Sequence, residues 1–173
     1  SGWQLTLGGR QDWAGSSRDD HLTGERTEND DKAFTGRAGL SYRTSFGLVP
    51  YLSHSESFLP TAGNAPSGEP FKPTRGKQYE AGVKYQPEGS RALLTAAVYD
   101  LTKTNVVTYD PVTYDGEQRG EIRSRGLELE AKMSLAKGLD LTGQYTLNNI
   151  EITQDADSSL IGNRPVSVPK HTA

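Results

Sequence analysis

The sequence predicts an all-β chain, an antiparallel meander of about seven to eight strands, on three observations. Apolar and polar residues alternate with a period of two, long and short connections alternate along the chain, and aromatic residues gather at strand ends. The clearest alternation is RSRGLELEAKMSL, Arg123 to Leu135. Leu127, Leu129, Ala131, Met133 and Leu135 take one parity, while Gly126, Glu128, Glu130, Lys132 and Ser134 take the other. That is a strand with one apolar and one polar face, since the same apolar residues on a helix would wrap right round it.

The other elements follow in order. WQLTLGGRQDWA sets Trp3, Leu5, Leu7 and Trp13 opposite Gln4, Thr6, Arg10 and Asp12. AFTGRAGLSY has Phe34, Ala38, Leu40 and Tyr42 on its apolar face. LVPYLSHSESF is less regular, because His54 and Glu56 share the parity of Leu52 and Phe58. KQYEAGVKYQ places Tyr79, Ala81, Val83 and Tyr85 against Gln78, Glu80 and Lys84. ALLTAAVYDLTKTNVV starts apolar on both parities and turns polar. LDLTGQYTLNN aligns Leu139, Leu141, Tyr145 and Leu147, and VPKHTA opens an eighth strand.

The connections say what kind of sheet this is. Gly15 to Lys32, Leu59 to Gly76, Thr108 to Glu121 and Glu151 to Arg164 are long; Arg43 to Gly47, Pro87 to Arg91 and Ala136 to Gly138 are short. The two kinds alternate without exception. A meander whose ends face different compartments behaves so, as in outer-membrane barrels with short periplasmic turns and long external loops. A soluble sandwich gives no reason for it. With the long loops outside, Trp13, Phe34, Phe58 and Tyr79 fall at outer strand ends, and Trp3, Tyr42, Tyr51 and Tyr85 near inner ones, as two interfacial belts would. The odd residues of the 123–135 strand then face hydrocarbon and the even ones a wet lumen. Arg123 and Arg125 share the lipid parity, so they belong above the hydrocarbon at the external end.

Composition agrees. A net charge of -3 and a pI of about 5.6 argue against a nucleic-acid surface. The absence of cysteine excludes disulfides, thiolate metal sites and a cysteine nucleophile. At 33% hydrophobic the chain is polar, yet barrel strands show lipid only alternate residues. The opening SGWQL carries neither an initiator Met nor a signal peptide, so a processed or partial piece is expected.

Six phrases go further: LTLGGRQDW, PYLSHSESFLP, GKQYEAGVKYQPE, AVYDLTKTNVV, GEIRSRGLELEAK and NRPVSVPKH. In this order they resemble consecutive barrel segments of TonB-dependent ferric-siderophore receptors, in particular the ferrichrome (ferric hydroxamate) branch. The resemblance spans essentially the whole chain and is weakest in the long loops. It implies that residues 1–173 are a partial domain, part of the wall of a 22-stranded transmembrane barrel with a plugged lumen. The family's plug, its TonB-contacting box and its last aromatic-ended strand are absent from this stretch. The implied location is the bacterial outer membrane, with the long loops extracellular. The implied partners are a ferric siderophore, the TonB–ExbB–ExbD complex through the N-terminal part, and outer-membrane lipid or lipopolysaccharide. No cofactor is implied, iron being carried only as the siderophore complex. A receptor for another large nutrient, such as a cobalamin or a glycan, stays open, as does a passive porin or adhesin.

No catalytic constellation stands out. His21, His54 and His171 are scattered, and neighbours in Ser53-His54-Ser55-Glu56 point to opposite faces. Asp155 to Ser159 lacks the Gly and distal Glu of a calcium loop, and the acids around Asp30 and Asp31 read as a solvated tip. The candidate ligand groups are loop aromatics and donors: Phe71, Arg75, Tyr109, Tyr114 and Arg119. Rings and guanidiniums suit a bulky iron chelate with apolar skirts and carbonyl oxygens; packing of the loops on each other is the competing role.

Overall fold

The computed structural model describes every residue except Asp20, Leu22, Thr23 and Glu25. Among the described residues, eight strands form one antiparallel sheet in strict sequence order. They are β1 (Gly2–Asp19), β2 (Arg26–Arg43), β3 (Leu48–Leu59), β4 (Thr74–Tyr85), β5 (Ala92–Tyr109), β6 (Gly116–Ala136), β7 (Leu139–Gln154) and β8 (His171–Thr172). A single 3₁₀ turn, Ser158–Leu160, is the other regular element described.

The register turns the parity pattern into a surface. Leu5 pairs with Leu40, Leu40 with Leu52, Leu52 with Ala81, Ala81 with Val98, Val98 with Leu127, and Leu127 with Leu147. Paired residues project to the same side, so one face carries an unbroken apolar row across seven strands. The neighbouring row reads Gln4, Ser41, Tyr51, Gly82, Ala97, Glu128 and Thr146. Among the described residues nothing covers the apolar side: Leu5 and Leu7 are 65% and 71% exposed, and the buried apolar residues are Ala33, Phe71 and Ala97. A sheet that packs no second layer on such a face needs an apolar solvent.

The apolar band does not follow the hydrogen-bonded rows; it crosses them. Its upper edge runs from Trp13 on β1 through Phe34 on β2 and Tyr79 on β4 to Leu147 on β7. Trp13 lies eight residues above the Leu5 row, whereas Leu147 lies in it. Eight residues at ~3.4 Å against six inter-strand steps of ~4.8 Å give a slope of ~43°. The lower edge falls from Trp3, two residues below that row, to Leu139, eight below. The same spacings then give ~35°. A band level with a membrane surface therefore requires strands tilted by about 35–45°, the tilt of outer-membrane barrels. Measured down β1 from Trp13 to Trp3 and corrected for tilt, the band is ~26 Å tall, close to the ~25 Å of such barrels.

The long connections are shorter than the sequence pattern suggests. The β1–β2 ladder continues to the pair Asp19–Arg26, and β5–β6 to Tyr109–Gly116. Most of 15–32 and 108–121 is thus strand, not loop, and the acids Asp30 and Asp31, expected at a solvated tip, lie on β2; Asp20 and Glu25 of the same acid-rich stretch lie outside the described residues. Above the membrane both faces meet water, so the ladder goes on while the alternation that reveals it disappears. The connection from Leu59 to Thr74 is a true long loop. Each short turn has a local cause. At 44–47, Thr44 Oγ1 accepts the Leu48 N–H at 3.0 Å. Gly47 has φ 89°, and a Cβ there would lie 2.0 Å from the Gln86 carbonyl, so glycine alone fits.

Candidate functional site

The long connections meet at one end of the sheet, held there by side-chain hydrogen bonds as well as by the buried Phe71. Asn105 adopts φ 57° at the register shift between Lys103 and Val106. A left-handed residue of this kind bulges the strand, and Asn tolerates it. Its Nδ2 donates to the Pro73 carbonyl at 3.0 Å, and its own carbonyl accepts from Thr74 Oγ1 at 3.1 Å. Gln118 on β6 clasps Lys72 from both sides, accepting its N–H and donating to its carbonyl, each at 2.5 Å. Thr108 Oγ1 accepts the Ala156 N–H at 3.2 Å, and Thr153 Oγ1 donates to the Glu121 carbonyl at 3.2 Å. Connections 60–73, 110–115 and 155–163 are therefore laced to the same upper parts of β5 and β6.

The five candidate residues do not form one patch. Phe71 is only 8% exposed, and its ring lies against Gly63 and Gly116. Tyr109 meets the same Gly116, so these two rings flank one glycine. Tyr109 is mostly exposed beyond that contact, and Tyr114, with φ 61°, is 78% exposed at the hairpin tip. Arg119 pairs with Glu117 at 2.7 Å on the same hairpin. Arg75 stands apart: it pairs with Phe58 and Thr104 in the parity of Tyr79 and Ala81, on the apolar side of the sheet. Tyr109, Tyr114 and Arg119 are thus grouped, Phe71 anchors their base, and Arg75 faces outward.

The β5–β6 hairpin tip is itself ordered. Asp110 Oδ1 accepts the N–H groups of Val112 and Thr113 at 2.8 and 2.9 Å. These bonds, that of Thr113 first, hold the Asp110 carboxyl below its ordinary value. In the last connection, Asp155 and Asp157 spend their carboxylates on the backbone N–H groups of Asp157 and Ser159. No cluster of three metal-ligating side chains occurs among the described residues.

Two polar systems lay outside the sequence reading. On the wet face, and so not in the inner interfacial belt expected from its place near a strand end, Tyr51 donates to Glu80 at 2.6 Å while its ring fills the space over Gly82. Tyr99 covers Gly126 in the same way, and Ser124 bonds Asn148 at 2.8 Å. On the apolar face, Arg123 grips Asp100 with two bonds of 2.9 and 2.6 Å, and Arg125 Nε reaches the same carboxylate at 3.1 Å. The parity of Arg123 and Arg125 was readable; their shared partner, 25 residues away from Arg125, was not.

Comparison with known proteins identifies this architecture. The family described as TonB dependent receptor-like, beta-barrel matches residues 1–173. The ferrichrome outer membrane transporter/phage receptor of Escherichia coli (strain K12) is 45% identical over 170 residues, 98% of this chain and 22% of that protein. The ferrioxamine B receptor of Salmonella typhimurium (strain LT2) is 38% identical over 171 residues, 99% of this chain and 24% of that protein. The chain thus spans about a quarter or less of the length of these relatives. Among solved structures, the siderophore receptor PiuA from Acinetobacter baumannii superposes with a TM-score of 0.84 at 22% identity, covering 98% of this chain and 28% of that one. BauA, the ferric preacinetobactin receptor of the same organism, gives 0.79 at 27% identity, covering 98% and 26%. The apolar side of the sheet therefore faces the lipid of a bacterial outer membrane, and the chain belongs to the TonB dependent receptor-like β-barrel family.

Proposed function

We propose that this chain is the wall and part of the extracellular mouth of a receptor that imports ferric siderophores of the hydroxamate type. The observation that carries the reading is the 45% identity to a ferrichrome transporter over 98% of the chain. The 38% identity to a ferrioxamine B receptor supports the same chemical class. In this reading the iron chelate is the cargo, and the TonB–ExbB–ExbD complex supplies energy through a plug-bearing part of the protein. The chain performs no catalysis; its work is to hold a pore wall and present side chains. Tyr109, Tyr114 and Arg119 are the groups offered to the chelate, with Phe71 fixing their base and Arg75 a weaker participant because it faces outward. The aromatic rings would meet the apolar skirt of the chelate and the guanidinium its carbonyl oxygens.

The test is growth of a strain lacking the gene, and of the same strain with it restored, on defined iron chelates. Restoration should rescue growth on ferric hydroxamates and not on ferric catecholates. Rescue by cobalamin or a glycan instead, with no response to any iron chelate, would replace the reading.

A further inference from the structure

We propose, resting on the reading that this receptor imports ferric hydroxamates, that the wet side of β5 to β7 just above the hydrocarbon is an aliphatic wall for the chelate's apolar skirt. The wall selects for uncharged chelates. Three observations carry this. The first is an inversion of faces. Val98, Leu127 and Leu147 form the last apolar row on the outward side. The next two outward rows are wholly polar: Asp100, Arg125 and Asn149, then Thr102, Arg123 and Glu151. The wet-side rows interleaved with them read Leu101, Ser124 and Ile150, then Lys103, Ile122 and Ile152. Within two residues the aliphatic side of the strands has changed from outward to inward. Strand propensity favours Ile on either side of a sheet whose faces both meet water, so it does not explain the bias.

The second is the bulge at Asn105, which extends the wall. The extra residue in β5 sets Val106 opposite Gly120, on the side of Ile122; in an unbroken ladder Val106 would point outward. A Cβ at Gly120 would lie 3.0 Å from the Cβ of Val106, and one at Gly76 would lie 4.0 Å from Leu101 Cδ1. Both glycines have the wet parity, so both contacts lie on that side. Leu101, Val106, Ile122, Ile150 and Ile152 are each partly exposed, and Gly76, Gly120 and Ser124 leave the surface between them low.

The third is charge. Lys103 is the one charged residue in the two wet-side rows. Three hydroxamates cancel the charge of iron(III), whereas three catecholates leave their complex threefold negative. A neutral chelate gains by laying its apolar skirt on aliphatic side chains. The anion would lose water against the same wall with a single Lys to meet it. The wall also stands at the end of the sheet where connections 60–73, 110–115 and 155–163 converge, which is where an incoming chelate arrives.

The test uses the full receptor containing this segment, purified in detergent, with equilibrium binding of two probes: ferrichrome and an iron(III) tris-catecholate. Ile122→Thr with Ile152→Thr keeps the branched strand residues and should weaken ferrichrome about tenfold through lost apolar burial. Thr102→Ala, on the outward side between them, should leave ferrichrome binding unchanged. Ile122→Lys should weaken ferrichrome and strengthen the tris-catecholate. Opposite signs from one substitution cannot come from misfolding. Unchanged ferrichrome binding in the Ile variants, or equal change for both probes, would overturn the proposal. So would a lower melting temperature of the ligand-free Ile122→Thr/Ile152→Thr receptor, because another part of the protein would then be packed on the wall. A native receptor that binds no hydroxamate would overturn the import reading together with this one. Variants that fail to respond in a receptor that does bind ferrichrome would overturn this one alone.

Discussion

Gln118 does for the 60–73 connection what a neighbouring strand would do, since its amide supplies one donor and one acceptor to the backbone of Lys72. Removing it leaves two backbone groups to find water. Gln118→Ala should therefore loosen this connection by about 1–3 kcal/mol while the ladder below stays formed. Hydrogen exchange should show faster exchange at Lys72, or limited proteolysis faster cleavage within 62–69; unchanged rates would mean that Phe71 and the Asn105 bonds hold the loop without Gln118. Asp110 offers a pH test at the next hairpin. Its carboxyl is held below its ordinary value by the N–H groups of Thr113 and Val112, so the unfolded tip binds protons more readily than the folded one. The contribution to tip order is full above the unfolded value of ~3.9 and lost as pH falls through the lower folded value. Exchange at Val112 and Thr113 should accelerate across that acid window in the native sequence. In Asp110→Asn that pH step should be missing. The Gln118 clasp is not legible in the sequence, because Gln118 and Lys72 lie 46 residues apart and no spacing announces their meeting.

At the scale of the strand, legibility tracks the solvent. RSRGLELEAKMSL and KQYEAGVKYQ are readable because one of their faces meets hydrocarbon and the other water, and β4 and β6 carry those faces as expected. The upper parts of β1, β2, β5 and β6 escape notice because water bathes both their sides. Period two is thus a record of two different solvents, not of the backbone ladder, and loop lengths read from it are too long by the height of the wall above the membrane. The faces predict opposite responses to one charge. Leu129 lies on the lipid side between Ala96 and Tyr145, whereas Gln144 lies on the wet side opposite Glu130. Leu129→Arg should cost the full receptor about 2–4 kcal/mol, while Gln144→Arg should change stability by under about 0.5 kcal/mol. Denaturant titrations of folding into phospholipid vesicles measure both; equal effects would reverse or abolish the assignment of faces.

For the whole molecule, the sheet has a direction and a bare side, and each yields a test. With connections 60–73, 110–115 and 155–163 on one end and the turns at 44–47 and 86–91 on the other, a cysteine at Ser67 should label in intact cells with an impermeant thiol reagent. One at Ser90 should label only after the membrane is opened. Isolated residues 1–173 present a harder problem in water. β1 offers 18 residues of backbone whose outer donors and acceptors have no strand beside them, and β7 is paired with β8 only at Thr146 and Leu147. Such edges recruit other chains. The apolar side adds Leu5, Leu7, Trp13, Leu52 and Val98, each more than half exposed, in a surface that no second layer covers. Burying it would require a fold that brings these residues between two sheets, but the register holds them all on one side of a single sheet. The isolated chain should therefore aggregate in buffer and disperse only with detergent, where the micelle takes the place of lipid. Sedimentation in the two conditions decides it. A monomer in plain buffer with a cooperative thermal transition would mean that these leucines find cover within the chain, and the single-layer wall would have to be abandoned for a sandwich.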